Sequence, residues 1–168
     1  MCTACDTPLY APPAMDIITV ERDIAAPPDR VWAMVSDVTR MGEWSPEATG
    51  AQWRGGATGP HVGAKFKGLN RSGKRRWTTA CTITECEPGL AFAFNVASGP
   101  LSVATWTYRL TATPTGCHVT ESWTDTRGGI IRTLGKLVTG VADRATHNRD
   151  GMEQTLAALA TAAAATAE

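Results

Sequence analysis

Glu121 is the residue most suited to chemistry. It sits in the run Val119-Thr120-Glu121-Ser122-Trp123, where it alternates in step with two apolar side chains. A carboxylate on an apolar strand face loses hydration, which favours its protonated form and suits it to acid–base work or to anchoring a ligand. The turn Thr113-Pro114-Thr115-Gly116 pairs the flanking strands so that Tyr108 falls opposite Glu121. The phenol can then donate to that carboxyl or to a ligand carbonyl. The same pair also reads as a structural hydrogen bond closing one end of a core. His147 is the third acid–base candidate, because imidazole titrates nearest neutral pH. It follows Arg144 by about one helical turn, facing solvent or a cavity. A lone helical histidine also fits an ordinary surface or core group.

Other chemistries find little support. Asp125 shares the Glu121 face but lies roughly 13 Å along the strand, too far for paired-carboxylate hydrolysis. His61, His118 and His147 are scattered, and Cys2 with Cys5 forms a lone C-x-x-C lacking a second pair, so no metal and no cofactor are expected. The glycine pairs at 55–56 and 128–129 lack a phosphate-loop context, and no nucleophile elbow or cysteine–histidine pair appears.

Lysine plus arginine equals aspartate plus glutamate at 16 each, so no global field favours nucleic acid. The run Lys65 to Arg76 carries six basic residues and no acids, yet reads better as a solvated hairpin than as a nucleic-acid surface. No apolar run is long enough to span a bilayer, so no integral membrane contact is expected. Five cysteines argue against a disulfide framework; Cys81 and Cys86 lie roughly 16 Å apart on one strand. A reducing cytoplasm fits. Residues 1–14 read as a flexible tail before a single domain at 15–168, with Met15 a conceivable start. Oligomeric state is not legible.

These side chains need a sheet to position them. Strands are expected at 17–24, 49–54, 64–70, 75–87, 90–97, 103–113 and 117–126. The Pro88-Gly89 turn would pair Glu87 with Leu90, Ile83 with Phe94 and Cys81 with Val96. A loop Arg71-Ser72-Gly73-Lys74 would set Gly68 opposite Trp77 and Phe66 opposite Thr79. One face then collects Phe66, Trp77, Cys81, Ile83, Phe92, Phe94, Val96, Trp106, Tyr108, Leu110, Val119, Glu121 and Trp123. The other face is rich in threonine with Lys65, Lys67, Arg76 and Arg109, the alternation of an antiparallel sheet with one wet side.

Helices must cover the apolar face. Val31, Trp32, Val35 and Val38 form one apolar stripe after Pro27-Pro28-Asp29, which suits a helix start. Met41 and Trp44 follow on a short segment ended by Ser45-Pro46. Ile130, Ile131, Leu134, Leu137, Val138 and Val141 begin a second stripe, and Met152, Leu156 and Leu159 continue it. Arg144, Arg149, Asp150 and Glu153 are left for solvent. Gly135 and Gly140 weaken the helix, so a short element near 130–139 and a main helix from about 141 are expected. The alanine-rich end from 157 to 167 buries little and should fray.

The segment IAAPPDRVWAMVSDVTRMGEWSP, Ile24 to Pro46, resembles the N-terminal signature of the polyketide cyclase/dehydrase branch of the START-like, pollen-allergen-like superfamily. The resemblance extends in pattern over about residues 16 to 163. It implies an α+β helix-grip fold, in which a curved sheet of about seven strands wraps a long C-terminal helix around a ligand cavity. A small hydrophobic molecule such as a lipid, polyketide or aromatic metabolite would be the partner. Trp44, Phe66, Trp77, Phe92, Phe94, Trp106 and Trp123 would supply contact area, with Tyr108 and Glu121 as the polar handle. The segments 41–46 and 128–140 would gate it. An aromatic polyketide cyclase or dehydrase using Glu121, Tyr108 and His147 is the first rival reading. A regulatory interaction module with a vestigial cavity is the second.

Overall fold

The computed structural model describes residues 16–165. The expected tail at 1–14, the Met15 start, and Cys2 and Cys5 lie outside the described residues. Seven antiparallel strands follow the order β1-β7-β6-β5-β4-β3-β2. They are β1 (Ile17–Ile24), β2 (Ala48–Arg54), β3 (Lys65–Ser72), β4 (Arg75–Glu87), β5 (Ala91–Ser98), β6 (Leu101–Thr113) and β7 (Gly116–Asp125). Helix α1 (Pro28–Ser36) and a 3-10 segment (Val38–Glu43) connect β1 to β2, and α2 (Gly129–Thr139) and α3 (Arg144–Ala165) end the chain. This is the helix-grip α+β architecture, as the N-terminal segment implied.

The Thr113–Gly116 turn sets the β6–β7 register as expected, with Tyr108 opposite Glu121 and Trp106 opposite Trp123. Gly116 is required there. Its φ of +154° is paired with a close approach in which an added Cβ would stand 2.1 Å from the Ile24 carbonyl oxygen.

Two other turns differ from expectation. The β3–β4 hairpin closes at Gly73-Lys74 with Ser72 opposite Arg75, so Phe66 faces Cys81 and Gly68 faces Thr79. Glycine at φ +55° permits the two-residue turn. The shift is two residues, an even number, so no side chain changes face. At Pro88-Gly89 the Leu90 N–H bonds to the Glu87 carbonyl at 3.0 Å, but the ladder partner of Glu87 is Ala91. An irregularity between Ile83 and Glu85 absorbs the extra residue and restores Ile83 opposite Phe94 and Cys81 opposite Val96.

The core is built where α1 and α3 meet the inner face. Val31, Val35, Phe92, Leu110, Val119, Met152, Leu156 and Leu159 are all nearly or wholly buried. Each such side chain stabilises by roughly 1.5–3 kcal/mol relative to exposure. Trp32 fixes α1 to the sheet by donating its indole N–H to the Ala91 carbonyl at 2.8 Å. At the far end of α3 the described helix runs through Ala165, and Ala163 is fully buried, where its methyl side chain lets the backbone come close.

The α2 stripe is a clearer departure. Leu134, Leu137 and Val138 are more than half exposed. The sheet curves away beneath α2, so this helix does not close onto a packed core. Arg75 instead ties it to β4 through the Leu137 carbonyl.

Candidate functional site

Beneath α2 lies a cavity of about 760 Å³, walled by the inner sheet face, the 3-10 segment, α2 and α3. Phe66, Phe94, Trp77, Trp106, Trp44 and Trp123 line it. Phe66 and Phe94 meet edge to face with centroids 5.4 Å apart, a favourable aromatic geometry. Phe92 is the expected wall residue that does not line the cavity. It stands where α1 packs over β5 and is fully buried, its ring centroid 5.9 Å from that of Phe94.

Glu121 and Tyr108 both line the cavity and are buried. The Tyr108 hydroxyl donates to Glu121 Oε1 at 2.8 Å. Glu121 Oε2 is buried and has no hydrogen-bond partner. Loss of hydration raises the Glu121 pKa to about 8, and the Tyr108 bond only partly opposes it. Burial, then the neighbouring carboxyl, keeps the Tyr108 phenol well above its usual range. At neutral pH both groups therefore hold their protons.

A second polar cluster stands on the cavity wall. Glu47, in the connection to β2, accepts from Arg144 Nη1 at 2.9 Å and from His147 Nε2 at 2.8 Å through its Oε2, while its Oε1 takes Arg144 Nη2. Arg144 also lies over the Trp77 ring at 5.9 Å. His147 thus reaches the lining, 39% exposed. Arg144, expected in solvent, is held instead in a half-buried bidentate pair. The sequence reading missed Glu47, because nothing local marks an acid after Ser45-Pro46 as the partner of a helix a hundred residues on. It also missed Asn148, a buried lining residue whose Nδ2 has no partner.

Asp125 does not reach Glu121 chemically. Burial would raise its pKa, but bonds from the Arg127 side chain and backbone prevail and hold it below the usual range. Arg127 Nε sits 2.8 Å from Asp125 Oδ1, Arg127 Nη2 2.9 Å from Oδ2, and Arg132 Nε 3.3 Å from Oδ2. His118 lies on the outer face bonded to Asp23 at 2.7 Å. Cys81 lines the cavity, and burial pushes its thiol up to about 11, so it is a poor nucleophile. Among the described residues no group of three His, Cys, Asp or Glu side chains is placed to hold a metal ion. No described helix is long and apolar enough to cross a membrane.

Comparison with known proteins agrees with this architecture. The model of a family described as polyketide cyclase / dehydrase and lipid transport matches residues 15–164. No curated protein matches the chain. Among solved structures, a polyketide-cyclase-like protein of Corynebacterium glutamicum, Cgl2372, is 32% identical over 90% of this chain and 86% of its own, with a TM-score of 0.52. Protein MLL2253 of Mesorhizobium loti is 21% identical over 91% of this chain and 100% of its own, with a TM-score of 0.64. The di-domain ARO/CYC StfQ from the steffimycin biosynthetic pathway is 17% identical over 91% of this chain and 52% of its own, with a TM-score of 0.70. The last two share the fold.

Proposed function

We propose that this chain, which belongs to the polyketide cyclase / dehydrase and lipid transport family, binds a small hydrophobic molecule in the cavity beneath α2. The observation that carries this reading is the cavity itself. A volume of about 760 Å³ with an aromatic wall is the size and character of a small-molecule site, and a side-chain-filled core would leave no such space. Indole and phenyl rings give contact area, while Glu121 and Tyr108 give orientation. The segments Met41–Pro46 and 128–140 both contribute lining residues and serve as gates.

Native mass spectrometry of the purified protein, followed by extraction of any retained molecule, tests this. A bound lipid, polyketide or aromatic metabolite is expected. A bare protein mass together with no thermal shift across lipids and polyphenols overturns the reading.

A second reading, turnover of a polyketide chain by cyclisation or dehydration, is favoured by one arrangement. A protonated carboxyl, Glu121, and an imidazole oriented by Glu47 line the same cavity, the minimum for acid–base catalysis on a folded substrate. The ARO/CYC description of a structural neighbour supports it. Loss of turnover in Glu121→Gln and His147→Ala with unchanged ligand affinity is the expected sign. Turnover at the wild-type rate in both variants sets it aside.

A further inference from the structure

Seven large aliphatic side chains are exposed among the described residues, and three of them, Leu134, Leu137 and Val138, share one short helix, α2. A fourth, Leu101, lines the same cavity as Leu134 and Val138. Residues that are both lining and more than half exposed stand at the cavity mouth. Single exposed aliphatic groups are ordinary, whereas a cluster marks a contact surface. On α2 itself Arg132 and Lys136, four residues apart, take the side away from this stripe. An amphipathic helix of this length is too short to span a bilayer but suits its interface.

The charge around the stripe is one-signed. Residues 48–84 hold seven lysines and arginines and no acid, and residues 127–142 hold three and no acid. The two segments meet, because Arg75 on β4 donates to the Leu137 carbonyl. Arg71, Lys74, Arg75 and Arg76 are exposed at the β3–β4 hairpin tip, and Lys136 is exposed on α2. Among the described residues no carboxylate forms an ion pair with any of these five. Asp143, the first acid after α2, is taken by Thr146. Since the chain is neutral overall, its acids lie elsewhere and this end is the positive one.

We propose that α2 and the β3–β4 hairpin tip dock this protein peripherally on an anionic lipid bilayer. Leu134, Leu137 and Val138 enter the acyl boundary while the basic tip sits among the headgroups. An aliphatic centre with a cationic margin matches that surface. A nucleic acid would meet the cations and leave the aliphatic groups in water. A second copy would set the cations against their own kind in a two-fold contact. The docking goes beyond the ligand-binding reading and does not depend on it. Where both hold, the cavity mouth faces the bilayer, and an apolar ligand passes between them without crossing water.

Vesicle co-sedimentation of the full chain tests the proposal, with phosphatidylcholine alone and with an equimolar mixture of phosphatidylcholine and phosphatidylglycerol. The protein should pellet with the anionic vesicles only. Raising salt from about 0.1 M to about 1 M, which shortens the screening length from about 10 Å to about 3 Å, should release most of it. The double variant Lys74→Ala/Arg76→Ala should weaken partitioning roughly 25-fold, about fivefold per lost cation. Leu137→Ser should weaken it roughly tenfold. Leu90→Ser, at a comparably exposed leucine beside the β4–β5 turn, should leave it unchanged. No pelleting, equal pelleting with both vesicles, or pelleting indifferent to the α2 and hairpin variants overturns the docking. So does a dimer in vesicle-free sedimentation that Leu137→Ser dissociates, if vesicles go unbound, because a second copy then covers the face. Lipid retained by a protein that never pellets overturns the docking and leaves the cavity reading standing. Pelleting by a protein that retains and binds no small molecule does the reverse.

Discussion

Glu47 and His147 stand a hundred residues apart in the chain and meet at 2.8 Å on the cavity wall. Arg144 shares the same carboxylate, so Glu47 ties the start of α3 to the segment entering β2. Both of these elements contribute to the cavity. A charge network thus joins these two elements at the cavity wall.

Removing Glu47 should release that contact. Glu47→Ala leaves Arg144 without its half-buried partner and is expected to cost about 1–3 kcal/mol by urea denaturation. The exposed pair Arg40–Glu43 supplies the contrast, with both side chains about half exposed. Glu43→Ala should cost far less, because solvent screens an exposed pair. Equal costs would show that the Glu47 network contributes no more than a surface pair.

Stability should fall as pH rises from about 4.5 to about 8. Glu121 has its folded pKa raised from 4.5 to about 8, so the folded protein binds a proton that the unfolded chain has released across that window. The stabilisation from this group is complete below the unfolded value and is lost as pH climbs through the folded one. Glu121→Gln should flatten this slope in thermal melts at a series of pH values. A slope identical in the variant would mean that the carboxyl does not titrate as its burial implies.

Asp125 acts in the opposite sense. Its folded pKa is lowered by Arg127 and Arg132 against the effect of burial, so its stabilisation is present above the unfolded carboxylate value and is lost as pH falls below it. Asp125→Asn should weaken the protein near neutrality and narrow its difference from the wild type in acid. An acid melting profile parallel to that of the wild type would count against this.

Gly116→Ala is expected to be among the most damaging single-methyl additions. The new Cβ would lie 2.1 Å from the Ile24 carbonyl oxygen, and the backbone must move to admit it. Gly55 also has a positive φ, +64°, but nothing lies within 4 Å of its Cβ position. Gly55→Ala should cost about 1 kcal/mol and Gly116→Ala clearly more. Comparable chemical melting midpoints would contradict the packing at the β1–β7 edge.

Leu156→Ala should cost about 2–5 kcal/mol, because Leu156 is wholly buried where α3 meets the sheet. Leu137→Ala should cost little, since that side chain is 70% exposed on α2. The comparison separates the helix that holds the fold from the helix that covers the cavity. Similar losses would mean that α2 is part of the core.

The sequence by itself determined the strands, the inner and outer faces, and the pairing of Tyr108 with Glu121. These follow from local quantities: side-chain alternation has a period of two, and a turn fixes the residues flanking it. The two turns that closed differently did little harm, because a shift of two residues at β3–β4 preserves the faces and an irregularity in β4 corrected the count at β5. Only the tertiary structure decided which residues on the inner face border space and which border a helix. Phe92 and Phe94 are indistinguishable by period, yet α1 covers one and the cavity meets the other. Tertiary structure likewise brought Glu47 to Arg144 and His147, left Asn148 buried without a partner, and lifted the α2 stripe off the core. Each of these depends on how far the sheet curves and where α3 crosses it, and chain-local patterns carry no record of those distances.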